Sequence, residues 1–372
     1  MKIGFQKLDR LYSENRKDFI NIFDNVMQRG NFILGEEVSN FEKEFAKYCG
    51  RKYCVTVASG LDALTLSLMA LDLKPGDEVI VPANTYIATW IAVSRVGLVP
   101  VPVEPEKEGF QIDFREIRKH ITQKTKAIMP VDLYYQTPDL DEINEVSDDF
   151  SIRVIVDAAQ GHGQKYKGKI VGSTAEIEAF SFFPTKNLGA FGDAGAVVID
   201  NEELAEKLRM LRNYGTRQKY VSEIIGYNSR MDELQAAFLR YKLKSLDRWN
   251  LRRREIADRF LNELEPNLIE LPVIKRYATP NWHIFPILSD YRDKLSEILK
   301  EVGIQTIVHY PLPPYLQSSY SYLGISKGQF PISSSISDRI LSLPMHPYLT
   351  EEEVSYVIDL TNSSTKQLTN GY

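Results

Sequence analysis

The chain has 372 residues, and its 45 basic and 50 acidic residues give a net charge of −5. This balance argues against non-specific binding of nucleic acid, and the length suggests about two domains. No run of residues is long and apolar enough to cross a bilayer, and the first residues lack the apolar core of a signal peptide. With Cys49 and Cys54 as the two cysteines, we expect a cytoplasmic protein without a membrane or nucleic-acid partner.

Hydrophobic periodicity predicts two amphipathic helices near the start, one over 13–29 and one around Phe41 and Phe45. Short apolar runs and helical patterns then alternate along the chain. Strands are predicted at 52–57, 78–83, 99–103, 127–131 and 152–156, with helices at 64–71, 87–96, 114–120 and 140–148. This alternation predicts an α/β fold with a mostly parallel sheet covered by helices on both faces. Ligands of such sheets bind beyond the carboxyl ends of the strands.

The second half of the chain shows fewer strands. A helix at 202–213 precedes an exposed polar segment, and one long helix is predicted over 231–264. A strand at 282–288, a helix at 292–302, a proline-rich segment and two closing helices follow, and the polar tail from Asn362 is expected to fray. We therefore predict a large domain over 1–250 and a smaller α+β domain over 251–372.

Lys186 lies between two apolar runs that are typical of buried strands, and Gly189, Gly192 and Gly195 follow it. Taken alone, it is most simply an ordinary loop lysine. Burial, however, disfavours the ammonium form and lowers the lysine pKa, which is how a Schiff-base lysine becomes reactive. Two motifs upstream favour this second interpretation, one at 58–63 and one at 157–160.

The motif at 58–63 turns from a strand into a helix, where free backbone N–H groups form a phosphate site. The N–H groups of Gly60 and Leu61, with the Ser181 hydroxyl, could hold a phosphate. The simpler alternative is a capped helix. No dinucleotide fingerprint or P-loop is present, and the five histidines lack metal-ligand spacing.

Asp157 ends a predicted strand, and a buried carboxylate there usually pairs with a cation. One candidate is the protonated ring nitrogen of pyridoxal phosphate, whose ring then acts as an electron sink. Gln160 could bond the ring hydroxyl, and Tyr86 could stack on the ring. The alternatives are a turn-capping aspartate, a glutamine bonded to the backbone and a core aromatic residue.

The chain resembles the nucleotide-sugar aminotransferases of the DegT/StrS type, which share the aspartate aminotransferase fold (fold type I). The matching motifs are ASGLDAL (58–64), VPANTYIAT (81–89), VDAAQGHG (156–163), SFFPTKNLGAFGDAG (181–195), GYNSRMDELQAA (226–237) and VHYP (308–311). The resemblance implies a pyridoxal phosphate enzyme in which Lys186 is the Schiff-base lysine and Asp157 holds the ring nitrogen. It also implies that Asn228 reaches the phosphate of the neighbouring subunit, so that a homodimer carries active sites at its interface.

The pattern is closest to the dTDP-3-oxo-6-deoxyhexose 3-aminotransferases. Many relatives that aminate sugar C-4 have histidine where this chain has Phe183, whereas the C-3 enzymes have an aromatic residue there. The segment 131–136 also departs from the family pattern, His-Leu-Tyr-Gly-Gln. The resemblance implies transfer from L-glutamate to a dTDP-keto-sugar, with the nucleotide-sugar held by Phe183, Lys219, Tyr220, His309 and Tyr310.

Three alternatives remain open at this stage. The first is amination at C-4. The second is dehydration on the same cofactor, but the dehydratases that resemble this family have histidine in place of the lysine, so Lys186 weighs against it. The third is a regulatory protein that binds the cofactor without turnover. Loss of Lys186 or Asp157 would be expected there, and both are present.

Overall fold

The computed structural model describes residues 1–370. Its strands are β1 (Tyr53–Val57), β2 (Glu78–Pro82), β3 (Val99–Val103), β4 (Thr125–Ile128), β5 (Arg153–Asp157), β6 (Lys165–Tyr166), β7 (Lys169–Ile170), β8 (Ile177–Ser181), β9 (Gly195–Ile199), β10 (Thr216–Gln218), β11 (Val221–Ser222), β12 (Ala278–Thr279), β13 (Phe285–Leu288) and β14 (Ile340–Leu343). The helices are α1 (Leu8–Arg29), α2 (Glu36–Cys49), α3 (Gly60–Ala70), α4 (Ile87–Arg95), α5 (Phe114–His120), α6 (Leu140–Phe150), α7 (Glu202–Leu211), α8 (Glu233–Leu243), α9 (Leu246–Glu263), α10 (Arg292–Glu301), α11 (Pro331–Arg339) and α12 (Glu351–Asn370).

Seven strands form the central sheet, in the order β1-β9-β8-β5-β4-β2-β3. Only β9 runs antiparallel to its two neighbours in this sheet, and the pairs from β8 to β3 are all parallel. The central strands are almost continuously apolar because helices cover both faces. The predicted mostly parallel mixed sheet with flanking helices is confirmed.

A second hydrophobic core lies in the C-terminal part of the chain, where α9, α10 and α12 enclose the β13–β14 pair. Ile3, near the N-terminus, belongs to this core. Residues 133–135, which follow β4 of the central sheet, also belong to it. The predicted boundary at residue 250 falls inside α9. The division into two domains stays a prediction, and its last two residues, 371 and 372, lie outside the described part of the chain.

Two local predictions are wrong. The helix expected over 231–264 is divided, since α8 ends at Leu243 and the Ser245 N–H bonds to the Lys242 carbonyl in a turn. The helical spacing of apolar residues continues across this turn, so the sequence pattern did not indicate the break between the two helices. The described part of the tail, residues 362–370, is helical rather than frayed. Ser364 donates back to the Leu360 carbonyl at 2.6 Å, and Leu368 packs into the second core.

No helix within residues 1–370 combines the length and the apolar character needed to span a membrane.

Candidate active site

One cavity of about 550 Å³ opens at the carboxyl ends of β5 and β8. It is where an open parallel sheet binds its ligands, because strand ends and helix starts converge there. Ten of the residues predicted for the site line it: Gly60, Leu61, Tyr86, Asp157, Gln160, Ser181, Phe183, Lys186, His309 and Tyr310.

Lys186 lies in the loop between β8 and β9, and its N–H donates to the Phe183 carbonyl at 2.9 Å. The next two residues, Asn187 and Leu188, are buried and fix this loop in the protein interior. Burial lowers the pKa of Lys186 to about 8, although the nearby Asp157 charge opposes the change. A larger share of this amine is therefore neutral, and nucleophilic, near neutral pH than in an ordinary lysine.

Asp157 ends β5 and is only 4% exposed. Its Oδ2 accepts a hydrogen bond from Thr89 Oγ1 at 2.8 Å, and its Oδ1 accepts one from the Ala159 N–H at 3.1 Å. Burial raises the pKa of this carboxyl, while both donors and the charge of Lys186 act in the opposite direction. A buried carboxylate facing a cavity has the chemistry to hold a cationic ring nitrogen.

Gly60 begins α3 and touches the end of β8. A side chain here would meet Ser181, because a Cβ on Gly60 would lie 2.5 Å from the Ser181 Cβ. Ser59 caps the helix, its Oγ accepting from the Asp62 N–H at 3.1 Å. The first N–H groups of a helix have no intrahelical partner, so this end of α3 beside the Ser181 hydroxyl fits a phosphate.

Gln160 is held in place by two neighbours. Its Oε1 accepts from the Tyr134 N–H at 2.5 Å, and its Nε2 donates to the Tyr310 hydroxyl at 3.3 Å. The Tyr310 ring in turn lies 5.2 Å from the Tyr86 ring, at 39°. Tyr86 is 53% exposed, so it is not the core residue that the alternative interpretation required.

Phe183 lies on the wall of the cavity, with 49% of its surface exposed. His309 lies on the same cavity, and its Nδ1 is 2.9 Å from the Ser342 Oγ. Burial, together with the charge of Lys186, lowers the pKa of His309 to about 4, so this ring is neutral at physiological pH.

Three predicted residues do not line this cavity. Lys219 and Tyr220 lie at the exposed turn between β10 and β11, where Tyr220 is 90% exposed. Asn228 forms a β-bridge with Asn213. Val221 and most of the residues that follow it as far as Asn228 are also exposed.

Sequence reasoning missed several polar residues at the site, among them Thr89 and His283. Thr89, the partner of Asp157, lies one helical turn after Thr85, whose Oγ1 is 3.0 Å from its own. This i, i+4 spacing was a signal that could have been used. His283 lines the cavity from the second core and carries no local signal. Within residues 1–370, no cluster of three or more histidine, cysteine or acidic residues could hold a metal ion.

Several curated relatives match nearly the whole chain, and two of them show the range of their names. The erythromycin biosynthesis sensory transduction protein EryC1 of Saccharopolyspora erythraea is 46% identical over 360 residues, covering 96% of this chain and 98% of its own. The dTDP-3-amino-3,6-dideoxy-alpha-D-galactopyranose transaminase of Aneurinibacillus thermoaerophilus is also 46% identical over 360 residues, covering 97% and 99%.

Solved structures also match nearly the whole chain. DesV of S. venezuelae, in complex with a ketimine intermediate, has a TM-score of 0.97 and 44% identity, covering 98% of this chain and 99% of DesV. Ntda of Bacillus subtilis, with bound cofactor PMP, has a TM-score of 0.90 and 35% identity, covering 98% and 86%. A family model, the DegT/DnrJ/EryC1/StrS aminotransferase family, matches residues 13–361. The chain belongs to this aminotransferase family, as its motifs indicate.

Proposed function

We propose that this protein is a pyridoxal phosphate aminotransferase. It moves an amino group from L-glutamate to a nucleotide-linked keto-sugar, at C-3 of a dTDP-3-oxo-6-deoxyhexose, for deoxyaminosugar biosynthesis. The observation that carries the proposal is that Lys186 and Asp157 face one cavity beside the start of α3. The relative that is named a dTDP-3-amino-sugar transaminase supports this substrate class.

The residues of the cavity suit the parts of this cofactor. Gly60, Leu61 and Ser181 would hold the phosphate, and Asp157 would keep the ring nitrogen protonated. When bound, the cofactor supplies an electron sink that stabilises negative charge on the reacting carbon. The Lys186 amine would bind the cofactor covalently and, once released, carry a proton between carbon atoms.

Gln160 and Tyr86 would complete the cofactor site. The Gln160 Nε2 has a hydrogen left for the ring hydroxyl after its bond to Tyr310, because a primary amide carries two donors. Tyr86 and Tyr310 form an aromatic wall on which a planar ring can stack. Tyr310 and its neighbour His309 would also meet the sugar.

Phe183 supports amination at C-3 rather than C-4. It places an aromatic side chain on the cavity wall at the position where many C-4 enzymes carry an imidazole, and it offers no hydrogen bond to a sugar hydroxyl. C-4 amination is the competing specificity. An assay with matched 3-oxo and 4-oxo dTDP-6-deoxyhexoses separates the two.

We also propose a homodimer with active sites at the subunit interface. The segment 214–227 exposes several large apolar side chains, which single subunits rarely leave in contact with water. These are Tyr214, Tyr220, Val221, Ile225 and Tyr227. In the proposed dimer this segment contacts the partner subunit. Lys219, together with Asn228 just after the segment, would then reach the partner's cavity. A cytoplasmic location stays a prediction, supported by two buried cysteines in free form.

A regulatory role without turnover is the second candidate, because one close relative is named a sensory transduction protein. Lys186 and Asp157 argue against it, because loss of one of them would be expected in a protein without turnover, and both are present. Observed turnover would exclude a purely regulatory role, although an active enzyme could still have a regulatory function.

The deciding experiment is a screen of dTDP-keto-sugars with glutamate, with the product identified by mass. Formation of a 3-amino sugar supports the proposal. Preference for the 4-oxo sugar overturns the C-3 assignment, and the absence of turnover with all substrates, in protein that carries the cofactor, favours the regulatory role. The matched control is Lys186→Ala, which removes the amine and should be inactive with every sugar.

A further inference from the structure

A chain of buried amides connects His283 to the backbone beneath the cavity. His283 Nδ1 lies 3.1 Å from Asn187 Oδ1. The Asn187 Nδ2 donates to Asn250 Oδ1 at 2.8 Å and to the backbone carbonyl of Asn281 at 3.0 Å. Asn250 Nδ2 donates to the carbonyl of His162 at 2.9 Å. All of these groups are buried.

This arrangement leaves only one orientation for each amide. The backbone carbonyls of His162 and Asn281 can only accept, so they must face the NH₂ groups of Asn250 and Asn187. The oxygen of Asn187 is therefore the atom that faces His283. Since a carbonyl oxygen has no hydrogen to donate, His283 Nδ1 must carry the proton of this hydrogen bond.

The other nitrogen of His283 is consequently a hydrogen-bond acceptor. Burial lowers the pKa of His283 well below its usual range, and the charges around the ring act in the same direction. These charges are carried by Lys186 and Arg253. A neutral ring with its proton on Nδ1 has a lone pair on Nε2. Within residues 1–370, no hydrogen bond is made by Nε2, and the ring lines the cavity with Lys186.

We propose that His283 is a positioning residue for Lys186. The Asn187 amide holds His283 in the Nδ1–H form, which leaves Nε2 to accept a hydrogen bond from the Lys186 amine when that amine is released during the reaction. Asn187 is the residue next to Lys186. The same short segment therefore holds the His283 ring in place and carries the Lys186 amine. The bond orients the lysine for proton transfer in both halves of the reaction, and this part rests on the proposed function.

The first test is independent of activity. In cofactor-free protein labelled with ¹⁵N-histidine, long-range ¹⁵N–¹H spectra distinguish the two neutral forms of each ring. The chain has only five histidines, so the signal lost in His283→Gln assigns the residue. We expect His283 in the Nδ1–H form near neutral pH. Detection of the Nε2–H form, or of a doubly protonated ring, overturns the proposal whether or not the protein is an aminotransferase.

The second test uses two matched substitutions. In His283→Gln the amide oxygen can take the place of Nε2, whereas in His283→Asn the amide can replace only the Nδ1–H that faces Asn187. We expect the asparagine variant to slow both half-reactions by about 10- to 100-fold with KM almost unchanged, and the glutamine variant to retain most of the rate.

The pattern of rates distinguishes the competing roles. A purely structural histidine would be rescued by asparagine rather than by glutamine, which overturns the proposal. A histidine that contacts the sugar would change the sugar KM and leave the glutamate half-reaction intact, which also overturns it. The absorbance of bound cofactor and the melting temperature show whether each variant is folded and loaded before rates are compared.

Discussion

Thr89 donates a hydrogen bond from its Oγ1 to Asp157 Oδ2 at 2.8 Å, across the boundary between α4 and β5. The Thr85 Oγ1, four residues earlier, lies 3.0 Å from the Thr89 Oγ1 and can donate a hydrogen bond to it. A donor to a carboxylate stabilises its ionised form. Thr89 therefore opposes the rise in the pKa of Asp157 that burial causes.

We predict that Thr89→Val weakens cofactor binding. Without this donor the pKa of Asp157 rises further, so more of the carboxyl is neutral at any given pH and fewer cationic rings are held. A hydrogen bond to a charged group contributes about 1.5–3 kcal/mol, which corresponds to about a 10- to 100-fold loss of affinity. Titration of cofactor-free protein, followed by absorbance, measures this loss. The loss should grow as the pH is lowered.

The matched control is Thr361→Val. Thr361 is also fully buried in a helix, but its hydroxyl donates to the Val357 carbonyl at 2.7 Å, and neither residue lines the cavity. It should leave the cofactor affinity unchanged. Equal affinities for Thr89→Val and wild type would show that Asp157 does not need this donor.

The reactivity of Lys186 gives a pH-dependent prediction. Because burial lowers its pKa to about 8, the amine of the cofactor-free protein should react with an acylating reagent with a midpoint near that pH. In denaturant the midpoint should return to the ordinary value of about 10.4. Competitive labelling at several pH values, read by peptide mass, measures both. A midpoint in the folded protein that equals the denatured one would contradict burial as the cause.

Gly60 tests the phosphate end of the site. In Gly60→Ala the new methyl group would meet Ser181, because the two Cβ atoms would be 2.5 Å apart. Overpacking of this kind costs about 1–3 kcal/mol, and here it displaces the hydroxyl that we assign to the phosphate. We expect the cofactor affinity to fall by about tenfold or more. Gly328→Ala is the control, since a Cβ there has open space.

Ser181→Gly in the Gly60→Ala background separates the two causes of that loss. The double variant removes the Cβ and the hydroxyl that the new methyl group would meet, and leaves a smaller contact of 3.0 Å with the Cα at position 181. If sterics alone reduce the affinity, the second substitution restores it, and if the hydroxyl binds phosphate, it does not. Unchanged affinity in Gly60→Ala would show that this end of α3 does not bind the cofactor.

The site was predictable where it depends on strand ends. Asp157 and Ser181 end neighbouring parallel strands, and Lys186 follows one of them, so the alternating pattern was enough to bring them to one edge of the sheet. His283 was not predictable in this way. It comes from the second core, and its place at the cavity depends on tertiary packing that no local period records.

The helix predicted over 231–264 shows where hydrophobic periodicity is insufficient. Leu243 and Leu246 both pack into the core on either side of the turn at 244–245, so their spacing suggests one continuous apolar stripe. The turn instead separates α8, which packs against α2, from α9, which extends into the second core. Contacts distant in sequence thus decide where the helix ends.

The exposed segment gives the last prediction, which concerns assembly. Lys219 and Asn228 are absent from the cavity of their own chain, so their proposed roles require a second subunit. Lys186→Ala and Asn228→Ala subunits should each form inactive homodimers. In a hybrid, one site combines the intact Lys186 of one subunit with the intact Asn228 of the other, and should work.

Random pairing of equal amounts makes about half of the dimers hybrids, each with one working site, so the mixture should recover about one quarter of wild-type activity. Mixing is done by unfolding and refolding the two variants together, and each variant refolded alone is the control. Lys219→Ala should raise the KM for the sugar nucleotide and leave the glutamate half-reaction intact, because a point charge meets the diphosphate and not the amino donor. No recovery in the mixture, or an active monomer by sedimentation, would show that Asn228 does not act on the partner's site.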